Sequence, residues 1–309
     1  MAIYLFKRLA FSLIALLLVS VAVFLMGRAT GDPVGLLAGP AATPEQEARI
    51  SSALGLDEPL HVQYGIFLQD LTRGSLGDSV RTRRPVESLI ADRLPASVYL
   101  ASSAMMIVVV IGIPLGVLAA TRRGQRIDST ARGLALVGQS APSFVVGIIF
   151  IQVFAVNLGW LPASGAGSAR HYVLPATALS LFVLAGIVRL VRSSMLEVLD
   201  SEYIKLARLK GAKESTVVWR HALRNALIPV VTFAGMYFSI LITLAIVIEV
   251  VFSWPGVGRM TFDAIIFRDF PVLQGVILVS VLIIMLVNLA IDLLYAVIDP
   301  RVRATSGGA

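Results

Sequence analysis

Cysteine is absent from all 309 residues, so the chain can form neither a disulfide nor a thiolate metal site. Charge is scarce: 15% of residues are charged, where a soluble domain carries about 25%. Histidine occurs only at His61, His171 and His221, scattered too widely for a zinc pair at i, i+4 or for two haem ligands in one bilayer. No G-x-x-x-x-G-K-[ST] stretch is present, which excludes ATP binding through a P-loop on this chain. No local motif suggests a Ser/His/Asp arrangement. These absences speak against an enzyme or an electron carrier, and no catalytic residue, metal ligand or cofactor is assigned to this chain.

Apolar residues make up 57% of the sequence and mean hydropathy is +0.85, the composition of an integral membrane protein. A bilayer core takes about 20 apolar helical residues. Leu9–Gly27, Leu94–Thr121, His171–Val188, Asn225–Ile248 and Phe270–Ile291 each supply such a run. Gly133–Ala169 is longer than one span needs, and its end, from Asn157 to Gly165, is rich in turn formers. The expected fold is therefore all-α with six transmembrane helices. A membrane β-barrel is excluded because the runs are continuously apolar rather than alternating.

Lys and Arg give the orientation. With a cytoplasmic N-terminus, the inside segments hold Lys7, Arg8, Arg122, Arg123, Arg126, Arg132, Arg189, Arg192 and the cations of 201–230, including every lysine. The short outside loops hold only Arg170, Arg259 and Arg268. Both termini are expected inside, and the net charge of +7 is mostly an insertion signal rather than a nucleic-acid surface. Residues 1–29 read as an uncleaved signal-anchor helix, since the apolar core is long and no A-x-A site follows.

Residues 30–93 form an outer segment. Thr43-Pro-Glu-Gln46 is a capping box with proline at the first helical position, and the helix it opens should end near Gly55. Leu60–Leu71 is amphipathic, with Tyr64, Phe67, Leu68 and Leu71 on one face, and Pro85–Arg93 is a third stretch leading into Pro95. Such helices either lie flat on the membrane surface or help receive a partner or substrate.

Ser201–Val230 is a basic, amphipathic segment set between two spans. A helix is expected to continue through Met195–Lys210, with Leu199, Tyr203, Leu206 and Leu209 at helical spacing. Gly211 should break it. Glu214, Ser215 and Thr216 then start a second helix carrying Trp219, Leu223 and Leu227, and Pro229 opens the next span. Such a helix–Gly–helix either rests on anionic headgroups or receives a protein partner.

The segment resembles the cytoplasmic loop of ABC-importer permeases, in the dipeptide/oligopeptide/nickel-type family. The general loop pattern, E-A-A-x-x-x-G-x₉-I-x-L-P, aligns through Gly211, with Ala207 on its second alanine and Leu223 on its leucine; Lys205, His221 and Arg224 depart from it. The peptide-type version fits at Tyr203, Ala207, Arg208, Lys210, Gly211, His221, Leu223, Arg224, Asn225, Leu227, Ile228 and Pro229. Further matches are Gly31-Asp-Pro33, Leu54-Gly-Leu-Asp57 with Pro59, Gly74-x-x-Gly77-Asp78, Glu249 with Phe252-x-Trp-Pro-Gly-Val-Gly258, Asp292-x-x-Tyr295 and Asp299-Pro-Arg301.

The resemblance implies a type I ABC-importer permease fold. Residues 94–298 would form the transmembrane domain of five helices with a coupling loop at 193–228, and residues 299–309 a cytoplasmic tail. It implies a permease subunit passing a peptide-like solute, in the bacterial inner membrane. Implied partners are cytoplasmic ABC ATPases, a second and non-identical permease, an extracytoplasmic binding protein and membrane lipid; ATP and Mg would sit on the ATPase. The coupling contacts would come from Tyr203, Lys205, Ala207, Arg208, Lys210, Gly211, Ala212, Lys213, Glu214, Ser215, Val218, His221, Leu223, Arg224 and Asn225, with the active piece between Ala212 and Trp219.

Polar groups inside spans are functional candidates by default. These are Glu249, Asn288, Asp292, Arg189 and Arg192. Glu249 either stabilises the Trp254-Pro-Gly turn or faces a vestibule, and Asp292 is expected to pair with Arg189 or Arg192. Gly112, Pro114, Gly116, Gly133, Gly138 and Pro142 are expected to permit close helix packing. The rival classes are a gradient-driven secondary transporter and a membrane scaffold that recruits a partner. No repeat between the halves favours the former. The solute itself is not encoded in any motif.

Overall fold

The computed structural model describes residues 2–30, 43–53 and 55–298. Its helices are α1 (Ala2–Thr30), α2 (Pro44–Ala53), α3 (Leu60–Thr72), α4 (Val86–Ile107), α5 (Ile113–Thr121), α6 (Arg126–Ser140) and α7 (Ser143–Phe150). They are followed by α8 (Arg170–Leu199), α9 (Glu202–Leu209), α10 (Glu214–Thr216), α11 (Leu223–Val251), α12 (Val257–Ile266) and α13 (Phe270–Ile298). Wide π-helical turns at Val108–Gly112 and Val217–Ala222 join α4 to α5 and α10 to α11 without a break, and Ile151–Asn157 extends α7 the same way. Gly31-Asp-Pro33, Leu54, Asp299-Pro-Arg301 and the rest of the tail lie outside the described residues.

Among the described residues five helices are long and apolar enough to cross a bilayer: Arg8–Arg28, Val86–Thr121, Arg170–Leu199, Glu214–Val251 and Phe270–Ile291. The pair Arg126–Ser140 and Ser143–Asn157, bent by 102°, makes a sixth if it counts as one span. The bend falls where Pro142 disfavours helical backbone at the residue before it. Three boundaries differ from expectation. Pro85–Arg93 is the first part of the second span, because the helix runs on through Pro95. Pro229 lies inside α11 rather than opening it. The helix expected through Met195–Lys210 breaks at Asp200 and Ser201, where Ser201 is extended (φ −73°, ψ 152°).

The chain divides into two compact units, residues 1–95 with 260–286 and residues 96–259 with 287–309. In the first, the capping box forms as expected: the Thr43 amide donates to Gln46 Oε1 (3.0 Å) and the Gln46 amide to Thr43 Oγ1 (3.4 Å). Both α2 and α3 end in Schellman turns, with Gly55 and Gly74 in the left-handed region at φ +62° and +80°. The α3 face does not simply lie on a surface. Tyr64 and Phe67 pack on Phe24 of α1, with ring centroids 5.4 and 5.7 Å apart, and the Tyr64 hydroxyl shares a hydrogen bond with Ser20 (2.9 Å).

A buried aspartate organises the loop after α3. Asp269 accepts from the Ser79 hydroxyl and from the amides of Val80 (3.1 Å) and Arg81 (3.4 Å), while the Arg81 guanidinium lies 3.6 Å from the Phe267 ring centre.

The second unit is built around α8. Leu174, Ala178, Leu179, Val183, Ile187, Val191 and Met195 are all buried, a stripe at helical spacing that continues into Ile204, Val217 and Ala222. Close approach needs small residues. A Cβ on Gly116 would sit 2.6 Å from Val191 Cβ, and one on Gly138 would sit 3.0 Å from the Leu181 carbonyl oxygen. Gly133, expected to do the same, faces open space.

Candidate functional site

The basic loop is set by its turns. The helix α9 closes in a Schellman turn: the Gly211 amide donates to the Arg208 carbonyl (2.9 Å) and the Ala212 amide to the Ala207 carbonyl (3.2 Å). Gly211 takes φ +79°, which residues with a Cβ adopt only with strain. Lys213 then returns to extended backbone and the helix restarts at Glu214. Arg208 reaches across this turn to Glu214 with two hydrogen bonds, 3.1 and 2.7 Å. The carboxylate holds the Arg208 guanidinium above its ordinary pKa.

Burial sorts the sequence-predicted residues into two groups. Ile204 is fully buried and anchors α9 to the core, while Tyr203, Leu206 and Leu209 are exposed, Leu209 to 85%. Around them stand Lys205, Arg208, Lys210 and Lys213, all exposed. Lys205 pairs with Glu202 at 2.7 Å. The Asn225 amide donates to the Tyr203 hydroxyl (2.7 Å) and to the His221 carbonyl (3.2 Å), which clasps α9 to the long helix. Ser215, His221 and Arg224 are exposed. By contrast Val218 is buried, and Ala212 and Leu223 pack against the core. The accessible apolar edge is therefore on α9, with Trp219 the one exposed aromatic of the Ala212–Trp219 piece.

The intramembrane polar residues separate in the same way. Arg192 meets Asp128, its Nε donating to Oδ1 at 2.7 Å and Nη2 to Oδ2 at 3.0 Å. Asp128 also accepts from the Gly124 amide (3.0 Å) and lies 3.4 Å from Arg132 Nε. The expected pairing of Asp292 with Arg189 or Arg192 falls on a side chain outside the described residues. Arg189 is exposed. Asn288 accepts from the Ser239 hydroxyl at 3.3 Å.

Glu249 is a structural carboxylate. It is 1% exposed and accepts from the amides of Gly258 (2.7 Å) and Arg259 (3.2 Å), in the first turn of α12. The turn it supports is packed solid. Trp254 is fully buried, stacks edge-on to Tyr172 (4.5 Å) and donates its indole N–H to the Ala96 carbonyl (3.0 Å). A Cβ on Gly256 would overlap the Glu249 carboxylate. Sequence reasoning missed Asp128, Asp269 and Ser97, whose hydroxyl accepts from the Val257 amide (2.8 Å). Only Asp128 carried a local signal, an i, i+4 spacing to Arg132.

The binding-protein-dependent transport system inner membrane component model matches residues 112–304, and the corresponding N-terminal membrane component model matches residues 1–101. The glutathione transport system permease proteins GsiC of Salmonella typhi and of Escherichia coli (strain K12) are each 42% identical over 301 residues, covering 97% of this chain and 98% of theirs. Among solved structures, the inward-facing MetNI methionine ABC transporter aligns with TM-score 0.59 at 22% identity, over 68% of this chain and 96% of that chain. An amino acid ABC transporter with histidines aligns at TM-score 0.52 and 16% identity, over 69% and 94%. The fold is shared with these two.

Proposed function

Since the chain belongs to the family of binding-protein-dependent transport system inner membrane components and is a permease subunit of an ABC importer, we propose that it forms half of a path for a peptide-like solute, with the exposed edge of α9 as its ATPase contact. The family is one of inner-membrane transport permeases that work with ATPase and binding-protein partners. The finer reading is that a second, non-identical permease completes the path and that both termini and the basic loop face the cytoplasm. ATP and Mg bind on the ATPase, and this chain has no catalytic role. A solute of the glutathione class is favoured by the 42% identity to GsiC across nearly the whole chain.

One observation carries the docking assignment: Tyr203, Leu206 and Leu209 remain exposed on a helix whose other face is anchored by Ile204. Within the Ala212–Trp219 piece Val217 and Val218 are used by the core, which leaves Lys213, Glu214, Ser215 and Trp219 exposed beside the α9 edge. ATP-driven closure of paired ATPases would carry α9 with it and tilt the path between its two openings. Because the chain has no cysteine, Leu209→Cys gives a single thiol for cross-linking. Cross-linking to the ATPase, with ATP-dependent uptake of radiolabelled glutathione, is the expected result. A chain that transports alone on a proton gradient, or a thiol that labels only lipid, would refute the assignment.

A further inference from the structure

The first unit contains a cavity of about 530 Å³ that the importer reading leaves without a role. Its described lining includes Phe24 and Arg28 of α1, Phe67 and Asp70 of α3, Asp78 of the following loop and Gln274 of α13. The volume falls within the range of small-molecule sites, about 300–1,000 Å³.

The cavity brings charges of both signs together. Elsewhere Asp57, Asp92, Asp128 and Asp269 all engage their carboxylates, and Arg84, Arg192 and Arg208 engage their guanidinium groups. Arg28 is half-buried, and its guanidinium carbon lies 5.3 Å from the centroid of the Phe24 ring, with no ion pair among the described residues. The carboxylates of Asp70 and Asp78 likewise make no ion pair or hydrogen bond among the described residues. The lining thus combines the guanidinium groups of Arg28 and Arg83 with the carboxylates of Asp70 and Asp78 and the rings of Phe24 and Phe67.

Each simple ligand class leaves part of this lining unsatisfied. An anion alone would meet Asp70 and Asp78, a cation alone would meet Arg28, and an apolar molecule would desolvate all three. A molecule carrying both an anionic oxygen group and an ammonium satisfies the whole set. We propose that this cavity binds a zwitterion, with Arg28 holding the anionic group and Asp70 and Asp78 the ammonium. Arg28 ends the apolar run Arg8–Arg28, at the level where water meets lipid. Two sources can reach it there, a soluble peptide-like zwitterion and the ethanolamine-phosphate headgroup of a phospholipid. The site stands on the cavity and its charges, so its failure leaves the importer assignment intact.

The test uses the assembled transporter in lipid nanodiscs. Phosphatidylethanolamine retention is read by native mass spectrometry, and triglycine binding is read in discs of phosphatidylglycerol alone. Retention of phosphatidylethanolamine over phosphatidylglycerol identifies the headgroup; triglycine binding identifies the solute. In either case Arg28→Gln and Asp70→Asn should each weaken binding about tenfold or more, the scale of one charge-assisted hydrogen bond. Arg73→Gln, exposed and outside the cavity, should change nothing. If Arg28→Gln fails to assemble, Asp70→Asn decides alone. Binding untouched by Asp70→Asn, or equal retention of the two lipids together with no binding of triglycine, would overturn the proposal.

Discussion

Leu209→Ala should weaken ATPase docking without weakening the fold. The side chain is 85% exposed, so almost its whole apolar surface is free to be buried by a partner. Truncation to alanine removes about three carbons, each contributing about 0.8 kcal/mol on burial, or about 2 kcal/mol together. That corresponds to roughly a 30-fold rise in Kd. Tyr203 and Leu206 are about half exposed, so each should contribute less. The turn that ends α9 is held by backbone groups, and an exposed side chain outside any ion pair changes stability by about 0.5 kcal/mol or less, so the thermal midpoint of the isolated permease should hold. Ile204→Ala supplies the contrast: it is fully buried, and its loss should cost about 2–5 kcal/mol of stability. The assay is titration of purified ATPase onto the permease in nanodiscs, with a thermal melt of each variant. An unchanged Kd for Leu209→Ala, or a midpoint that falls as far as with Ile204→Ala, would refute the docking assignment.

Other expectations follow from the same geometry. Asp128→Asn should lower the thermal midpoint, and adding Arg192→Gln should lower it little further because the two act as one pair; full additivity would count against the clamp. Gly256→Ala should cost about 1–3 kcal/mol by forcing Glu249 aside, and should speed hydrogen exchange at Gly258 and Arg259; unchanged protection there would contradict the cap. The Ser51 and Ser52 hydroxyls donate to Asp57 and hold its pKa below the usual range. Their contribution is therefore complete above the ordinary carboxylate pKa of about 3.9 and is lost as pH falls through the depressed value. Exchange of the Ser51–Asp57 amides should be insensitive to pH near neutrality, after correction for the intrinsic rate, and should rise only in strong acid.

Sequence patterning placed every membrane-length helix but misjudged several ends. An apolar run stops at the first charge, so His171–Val188 marks only part of α8, which runs on to Leu199. Arg192 in that continuation finds Asp128, a partner 64 residues away that no local spacing reveals. Proline misled in the same manner. Pro95 and Pro229, read as helix starts, lie within helices, where packing against neighbours outweighs one lost backbone hydrogen bond. Local chemistry was more reliable: the Thr43–Gln46 box and the turns at Gly55 and Gly211 formed as read, since each depends on residues close in sequence. Within the basic loop the residues were legible, but not their sides. Periodicity put Trp219, Leu223 and Leu227 on one face of the second helix, and only the packing shows that Leu223 and Leu227 meet the core while Trp219 is left exposed.

The uninterrupted helix from Glu214 to Val251 has a mechanical consequence. Its 38 residues make a rod about 57 Å long. One tip carries the Arg208–Glu214 pair beside α9, and the other enters the turn locked by Glu249 and Trp254. A lever of that length turns a tilt of about 5° at one tip into a displacement of about 5 Å at the other. The gain depends on stiffness, and besides Pro229 the rod is softened at the π-helical turn Val217–Ala222, within its first three turns. That turn is the natural fulcrum. A mutation that bends it, rather than one at either tip, should lower the stroke delivered per ATP while leaving both ends seated.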